Sequence, residues 1–241
     1  MADAAVIIIG AEILSGKFAD ENGPYLITRL RELGVDLGRI VVIPDDPRVI
    51  AEEVRNCSGR YRWVFSTGGV GPTHDDQTFP AIAAAFGVPV VRHPLLAGVI
   101  AEKFGDRVSD AAWRMAEVPE GAELWWDGNV LYPQVVMRNV VIFPGVPRLV
   151  RLKFEAVAHR FSGVPVSTRR LSTLREETEI AGTLSAAAER WPMVSIGSYP
   201  RFEENPHRVI VTMEGRDALS LEACSDWLLA HVAGATACGP G

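Results

Sequence analysis

The stretch "FSTGGVGPTHDDQTF", Phe65 to Phe79, combines glycine, proline, threonine, histidine and two adjacent aspartates. Gly68, Gly69 and Gly71 can take positive φ or let a ligand approach the main chain, and Pro72 fixes the exit from the turn. A helix beginning near Phe79 would present free N–H groups and the positive end of its dipole, the elements of an anion site. Thr67, Thr73 and Thr78 add hydroxyls. Carboxylates repel phosphate, so Asp75 and Asp76 fit such a loop when a divalent cation bridges them to it, since hard cations prefer oxygen ligands. Such an ion can also activate water. The competing reading is a plain strand-to-helix turn in which Asp76 or Thr78 caps the helix.

Other chemistry-bearing residues fall in comparable places. Gly10, Glu12 and Gly16 follow the apolar run "AAVIII". Glu12 can serve as metal ligand or base, or as a solvated loop carboxylate. Asn22 can cap the next helix or face the same crevice. Asp45 and Asp46 follow "GRIVVI", with Asp46 favoured as an N-cap because Pro47 suits the first helical position. Gly145 lies in "FPGVP", after another strand. His74 adds a titratable imidazole. Arg114 and Lys17 are candidate phosphate cations. Trp125, Trp126 and Tyr132 are candidate stacking rings, with core or interface packing the commoner fate of such residues. "GSYP", Gly197 to Pro200, brings no nucleophile or acid–base pair and reads as structural or as an interface.

The elements that must position these residues follow from periodicity. "AAVIII" is β-branched and unalternating, as in a strand buried on both faces of a parallel sheet. "NGPYLITRLRELG" places Leu26, Leu30 and Leu33 on one helical face, and "DPRVIAEEVRNCSG" does the same for Ile50, Val54 and Cys57. "RWVFSTGG" is a third strand and "TFPAIAAAFG" a third helix. This β-α-β-α-β-α rhythm implies a parallel sheet covered by helices on both faces. Ligands in such sheets bind beyond the carboxyl ends of the strands, which is where the glycine and carboxylate clusters fall. "PLLAGVIAEKFG" and "SDAAWRMAEV" read as further helices. "QVVMRNVVIFPGVP" reads as two β segments around Arg138–Asn139 or as one long strand. "PRLVRLKFEAVAHRF" carries Val150, Phe154, Val157 and Phe161 on one stripe. After a linker-like "SGVPVST", the pattern "TRRLSTLR", "EETEIAGTLSAAAERW", "MVSIGSYPRF", "PHRVIVTMEGRD" and "LSLEACSDWLLAHV" gives β-α-β-β-α.

The expected organisation is an α/β domain over residues 1–163, a small α+β subdomain over 164–233 and a disordered tail over 234–241. The chain has 241 residues, enough for a substantial core. Its net charge of −6 disfavours a general nucleic-acid binder. Cys57, Cys224 and Cys238 are widely spaced and lack CxxC spacing, which fits a reducing compartment and argues against a thiolate zinc site. No apolar run near the start is long enough to span a bilayer. A cytoplasmic protein without membrane or nucleic-acid partners is expected.

Together these residues resemble the molybdenum-cofactor-biosynthesis domain family, of the MoaB/Mog type. Its G-x-E-[IL]-x-x-G string is matched by Gly10, Glu12, Ile13 and Gly16. A downstream Asn is matched by Asn22, T-G-G-x-G-P-T-x-D-D by Thr67 to Asp76, and P-G-x-P by Pro144, Gly145 and Pro147. The chain is also similar to the amino-terminal part of competence/damage-inducible protein A. It resembles more strongly still the molybdopterin-binding-like domain of eukaryotic FAD synthetase, which carries similar "GPTHDDxTF", "RNVxxFPGxP" and "GSYP" runs. The family's N-x-x-G-x-A-P-G segment is missing after "VPEGA", where "ELWWDGNVLYPQ" stands instead.

The resemblance implies a three-layer α/β/α sandwich with a mostly parallel sheet that binds a pterin pyrophosphate or nucleotide at the glycine loop. It assigns Asp76, Asp75 and Glu12 to the family's acidic positions, and these three are the expected catalytic residues; the reading of the residues above makes Asp75 and Asp76 the expected metal ligands. It implies hydrolysis of nucleotide pyrophosphates such as FAD or ADP-ribose with Mg²⁺, Mn²⁺ or Co²⁺. The alternatives are a non-catalytic molybdopterin- or nucleotide-binding protein and molybdenum cofactor biosynthesis by adenylylation. Relatives of this fold form dimers or trimers, so a homo-oligomer is expected.

Overall fold

The computed structural model of the chain describes residues 3–127, 132–201 and 208–238. These form two compact units, residues 1–163 and 164–241.

The first unit runs β1 (Ala4–Ile9), α1 (Ala11–Leu14), α2 (Asn22–Glu32), β2 (Leu37–Ile43), α3 (Pro47–Ser58), β3 (Trp63–Thr67), α4 (Thr78–Phe86), β4 (Val90–Arg92), α5 (Pro94–Phe104), α6 (Asp110–Arg114), β5 (Glu117–Pro119), β6 (Glu123–Trp125), β7 (Gln134–Met137), β8 (Val140–Phe143) and α7 (Pro147–Val157). The sheet order is β2-β1-β3-β8-β7-β6. β1 pairs in parallel with β2 and β3, and β3 with β8. β6, β7 and β8 pair antiparallel. The sandwich is therefore α/β with a mostly parallel sheet, and β1 is buried along its whole length as its unalternating composition requires. β4 and β5 form a separate antiparallel pair.

"QVVMRNVVIF" resolves into two strands. Arg138 takes a φ of 55° in the turn, and Asn139 ties that turn to the end of α3 and the start of β3 by donating to the carbonyls of Ser58 and Tyr61 at 3.0 and 2.9 Å. Two apolar layers flank the sheet. On one face Ile50, Val54, Cys57, Phe79 and Ile82 pack under α3 and α4. On the other, Leu26 and Leu30 of α2 meet Val150, Phe154 and Val157 of α7, as their helical spacing predicts. Phe65, Phe143, Phe154 and Phe161 cluster there, with Phe65 edge-on to Phe161 at 4.9 Å between centroids. Trp125 joins this cluster beside Trp63, so it is a packing residue, whereas Trp126 is exposed.

Helix starts set the entry angles of the loops. Asp46 caps α3, accepting from the N–H groups of Arg48 and Val49, with Pro47 in the first turn. Asn22 does not cap α2. The Asp20 carboxylate accepts from the N–H groups of Asn22 and Gly23 at 2.9 and 3.1 Å, which frees the Asn22 side chain for another role.

The second unit comprises β9 (Ser167–Thr173), α8 (Glu177–Arg190), β10 (Ser195–Pro200), β11 (Val209–Gly215), α9 (Ala218–His231) and β12 (Thr236–Cys238). Its antiparallel sheet has the order β10-β11-β9-β12. Leu171, Val211, Met213, Ile180, Leu221 and Leu228 form its core, and β11 alternates between buried and half-buried positions as a one-sided strand should. The expected disordered tail is corrected here. Thr236–Cys238 pairs with Ser172, Leu171 and Arg170 of β9, because the edge of that strand offers unpaired backbone groups. Pro206 and His207 of the strand read in "PHRVIVTMEGRD", the final residues 239–241 and residues 128–131 of "ELWWDGNVLYPQ" lie outside the described residues. "GSYP" belongs to the edge strand β10, and the Ser198 hydroxyl donates to Glu177.

Candidate functional site

Parallel alignment of β1, β2, β3 and β8 brings four loops to one sheet edge. Three contacts lock them together. The first loop is held to the second where the Ala11 N–H donates to Asp45 Oδ2 at 2.8 Å. Asn22 Nδ2 donates to the Gly145 carbonyl at 2.8 Å and to Thr67 Oγ1 at 3.2 Å, clasping the "FPGVP" loop to the end of β3. Thr78 Oγ1 donates to the Gly68 carbonyl at 2.7 Å, tying the start of α4 to the glycine turn. Asn22, Thr67 and Thr78 are buried, so they shape the loops from beneath. Asn22→Ala is expected to cost about 1–2 kcal/mol in urea denaturation, the scale for stranding buried hydrogen-bond partners. Unchanged stability would show that the clasp carries nothing.

The glycine turn is built on close approach. Gly68 has φ +102°, and a Cβ there would lie 1.9 Å from the Ile9 carbonyl oxygen. Gly69 has φ +59°, and its Cβ would lie 2.5 Å from Thr78 Oγ1 and 3.6 Å from Asp45 Oδ1. Gly145 abuts Gly68. Beyond the turn, Asp76 Oδ2 accepts from the Thr73 N–H at 2.8 Å and from the Thr73 hydroxyl at 2.5 Å. It packs against Gly71, where a Cβ would come within 2.6 Å. Asp76 therefore closes the loop internally, and neither it nor Thr78 is the helix cap: the N-cap position of α4 is Gln77, without a side-chain bond. Among the described residues, no hydrogen bond engages the backbone N–H of Gly69, Val70 or Gly71. Three successive open donors remain on a loop leading into the nine-residue α4.

A cavity of about 330 Å³ opens on this loop. Gly69, Gly71, Thr73, His74, Asp76 and Gln77 of the loop line it, and Arg114 and Glu117 line it as well. Asp75 and His74 are exposed, with His74 Nδ1 and Asp75 Oδ1 3.9 Å apart. The Thr73 hydroxyl, shared with Asp76, and the backbone N–H of Asp75 hold the Asp75 carboxyl below the ordinary carboxylate range, so it is ionised at neutral pH as an ordinary aspartate is. The Glu12 carboxylate folds over Gly10, where a Cβ would lie 2.8 Å from Oε1, while Gly16 ends the same loop with φ +72°. Lys17 stacks over Phe18 at 5.6 Å and is absent from the cavity lining. Among the described residues no three His, Cys, Asp or Glu side chains gather as a metal-holding group. The Asp75–Asp76 pair is thus short of an all-protein cage. Asp76 lines the cavity and Asp75 does not, so an ion here would need substrate phosphate oxygens beside one or two carboxylates, the usual manner of binding Mg²⁺.

Sequence reasoning missed the Asp20 carboxylate that accepts from the first turn of α2, Glu117 and Val90 in the cavity lining, and a second, apolar cavity of about 380 Å³ against the same loop. Tyr132 lines that second cavity, and its hydroxyl donates to the Met115 carbonyl. The short segments around residues 90 and 118 were the available signal for Val90 and Glu117. Among the described residues no helix is long and apolar enough to cross a membrane.

Comparison with known proteins matches the same architecture. Residues 5–163 fit the family model described as a probable molybdopterin binding domain, and residues 165–238 fit that of the FAD synthase middle domain. A protein of Archaeoglobus fulgidus is 34% identical over 212 residues, covering 88% of this chain and 90% of its own. A probable FAD synthase of Caenorhabditis elegans is 30% identical over 250 residues, covering 91% of this chain but 48% of that protein, so the chain spans about half the length of this relative. The solved structure of the protein CinA, of unknown function, from Thermoplasma acidophilum aligns with a TM-score of 0.61 at 27% identity, over 67% of this chain and 99% of the other. The glycine turn, the loops clasped around it and the match over residues 5–163 place this chain in the probable molybdopterin-binding domain family, followed by a domain of the FAD synthase middle-domain type.

Proposed function

We propose that the protein hydrolyses nucleotide pyrophosphates such as FAD or ADP-ribose with the help of a divalent metal ion. The observation that carries this reading is that three open backbone donors, at Gly69, Val70 and Gly71, and the adjacent carboxylates Asp75 and Asp76 share one short loop, of which Gly69, Gly71 and Asp76 line the cavity. The donors would orient the pyrophosphate, and Arg114, which also lines the cavity, would neutralise a further phosphate oxygen. Asp76 keeps the loop closed through Thr73, which holds those donors in place before the ligand arrives. Asp75, ionised and exposed, would hold the ion together with substrate oxygens, whereas Glu12 folds over Gly10 and is absent from the cavity lining. When bound, the ion supplies charge neutralisation and an activated water.

A second reading, a non-catalytic binding protein for molybdopterin or a nucleotide, is favoured by two observations. One Asp76 oxygen is already taken up by Thr73, and no third metal ligand gathers among the described residues. Calorimetry with FAD, ADP-ribose and molybdopterin, run beside a product assay, separates the two. Hydrolysis predicts binding of FAD or ADP-ribose with AMP formation. Tight molybdopterin binding with intact ligand recovered under every metal would replace it with the second reading.

A further inference from the structure

The second cavity lies against the same loop, sharing Gly71 and Phe79 with the first. Val70, Phe79, Val135, Ile142, Leu149 and Leu152 give it apolar walls. Its volume, about 380 Å³, falls within the range of roughly 300–1,000 Å³ usual for small-molecule sites. Leu149 and Leu152 are 41% and 54% exposed, an apolar wall of α7 that remains open to solvent. Lys153 stands in this wall. Its ammonium donates to the carbonyls of Tyr132 at 2.9 Å and Pro133 at 2.8 Å and lies 5.0 Å from the centre of the Tyr132 ring. An ammonium has three donors, so two fixed carbonyls aim it and leave one N–H. Burial lowers the ammonium to about 8, so at neutral pH it remains mostly a charged donor held in a poorly hydrated place.

We propose that this cavity is the ring subsite of the ligand whose pyrophosphate the glycine loop holds, and that Lys153 is its specificity-determining residue, donating to an acceptor on a planar heteroaromatic ring. This rests on the phosphate-loop reading above. A ligand bridging the two cavities passes over Gly71, where the crowding against Asp76 leaves no room for a side chain. An apolar pocket with one placed donor recognises a flat ring with a ring nitrogen or carbonyl acceptor, a chemistry that both a flavin and an adenine offer.

Four probes test it by fluorescence or calorimetric titration: FAD, riboflavin, adenosine and inorganic pyrophosphate with Mg²⁺. Lys153→Met and Leu152→Glu are compared with wild type, the second chosen because Leu152 is an exposed wall residue whose replacement leaves the core intact. The expected result is that both variants weaken FAD and one ring probe by about tenfold more than they weaken inorganic pyrophosphate, the scale of one lost hydrogen bond to a charged donor. Whether riboflavin or adenosine responds identifies the ring. Ring probes that respond while inorganic pyrophosphate fails to bind would keep the subsite and remove the phosphate-loop reading. FAD and both ring probes that either fail to bind or bind equally to all three proteins would overturn the subsite, whatever inorganic pyrophosphate does.

Discussion

Gly68→Ala is expected to lower the unfolding free energy by more than about 3 kcal/mol and to abolish nucleotide binding. Two effects add. A residue with a Cβ in the left-handed region costs about 1–3 kcal/mol. The new methyl would also sit 1.9 Å from the Ile9 carbonyl oxygen, and that atom belongs to the buried central strand and cannot swing aside. The turn must therefore shift, and with it Gly145, which abuts Gly68, and the Thr78 hydroxyl bonded to the Gly68 carbonyl. Chemical denaturation of the purified variant reads the loss directly. A loss below about 1 kcal/mol would mean that the turn is looser than its contacts require.

The second large effect concerns activity. Asp76→Ala is expected to reduce AMP release from FAD or ADP-ribose by about 100-fold, the scale for displacing positioned groups by an ångström, with little change in global stability. Its carboxylate joins the Thr73 N–H and hydroxyl across the loop, and the variant would release the donors at Gly69, Val70 and Gly71 from their fixed arrangement. Two companions separate positioning from direct participation. Thr73→Val removes one of the two bonds and is expected to raise KM more than it lowers kcat. Asp75→Ala leaves the Asp76 clasp intact and is expected to shift the metal concentration needed for half-maximal rate. Equal kinetics in all three variants and wild type would remove the loop from the chemistry.

Much of this arrangement is legible in the residue pattern, for reasons the structure makes specific. Val150, Phe154, Val157 and Phe161 announce a buried stripe because helical periodicity is a local property, and all four are buried. Asp46 followed by Pro47 announces a helix start because cap and first turn are fixed by adjacent residues. Convergence of the four loops follows from parallel strand order, which places every strand-to-helix turn at one edge. Contacts that depend on long-range competition were not legible. Asn22 and Asp20 both suit a helix start, and only the fold shows that Asp20, just before the N-cap position Glu21, accepts from the first-turn N–H groups while Asn22 reaches Gly145, 123 residues away. Nothing in the residue pattern marks Lys153, yet the carbonyls of Tyr132 and Pro133 bind its ammonium. Thr236–Cys238 reads as a frayed end, yet the free edge of β9 captures it.

The paired aspartates were the puzzling part of the glycine-rich stretch, and the structure gives them unequal duties. Asp76 is turned inward to close the loop, and Asp75 is exposed and ionised. The account therefore stands on one measurement: AMP release from FAD and from ADP-ribose by the purified protein with Mg²⁺, Mn²⁺ or Co²⁺, each beside an EDTA control and Asp76→Ala. The account predicts AMP that appears with at least one metal and disappears with chelation and in the variant. Intact substrate under every metal, or full release by Asp76→Ala, would contradict it.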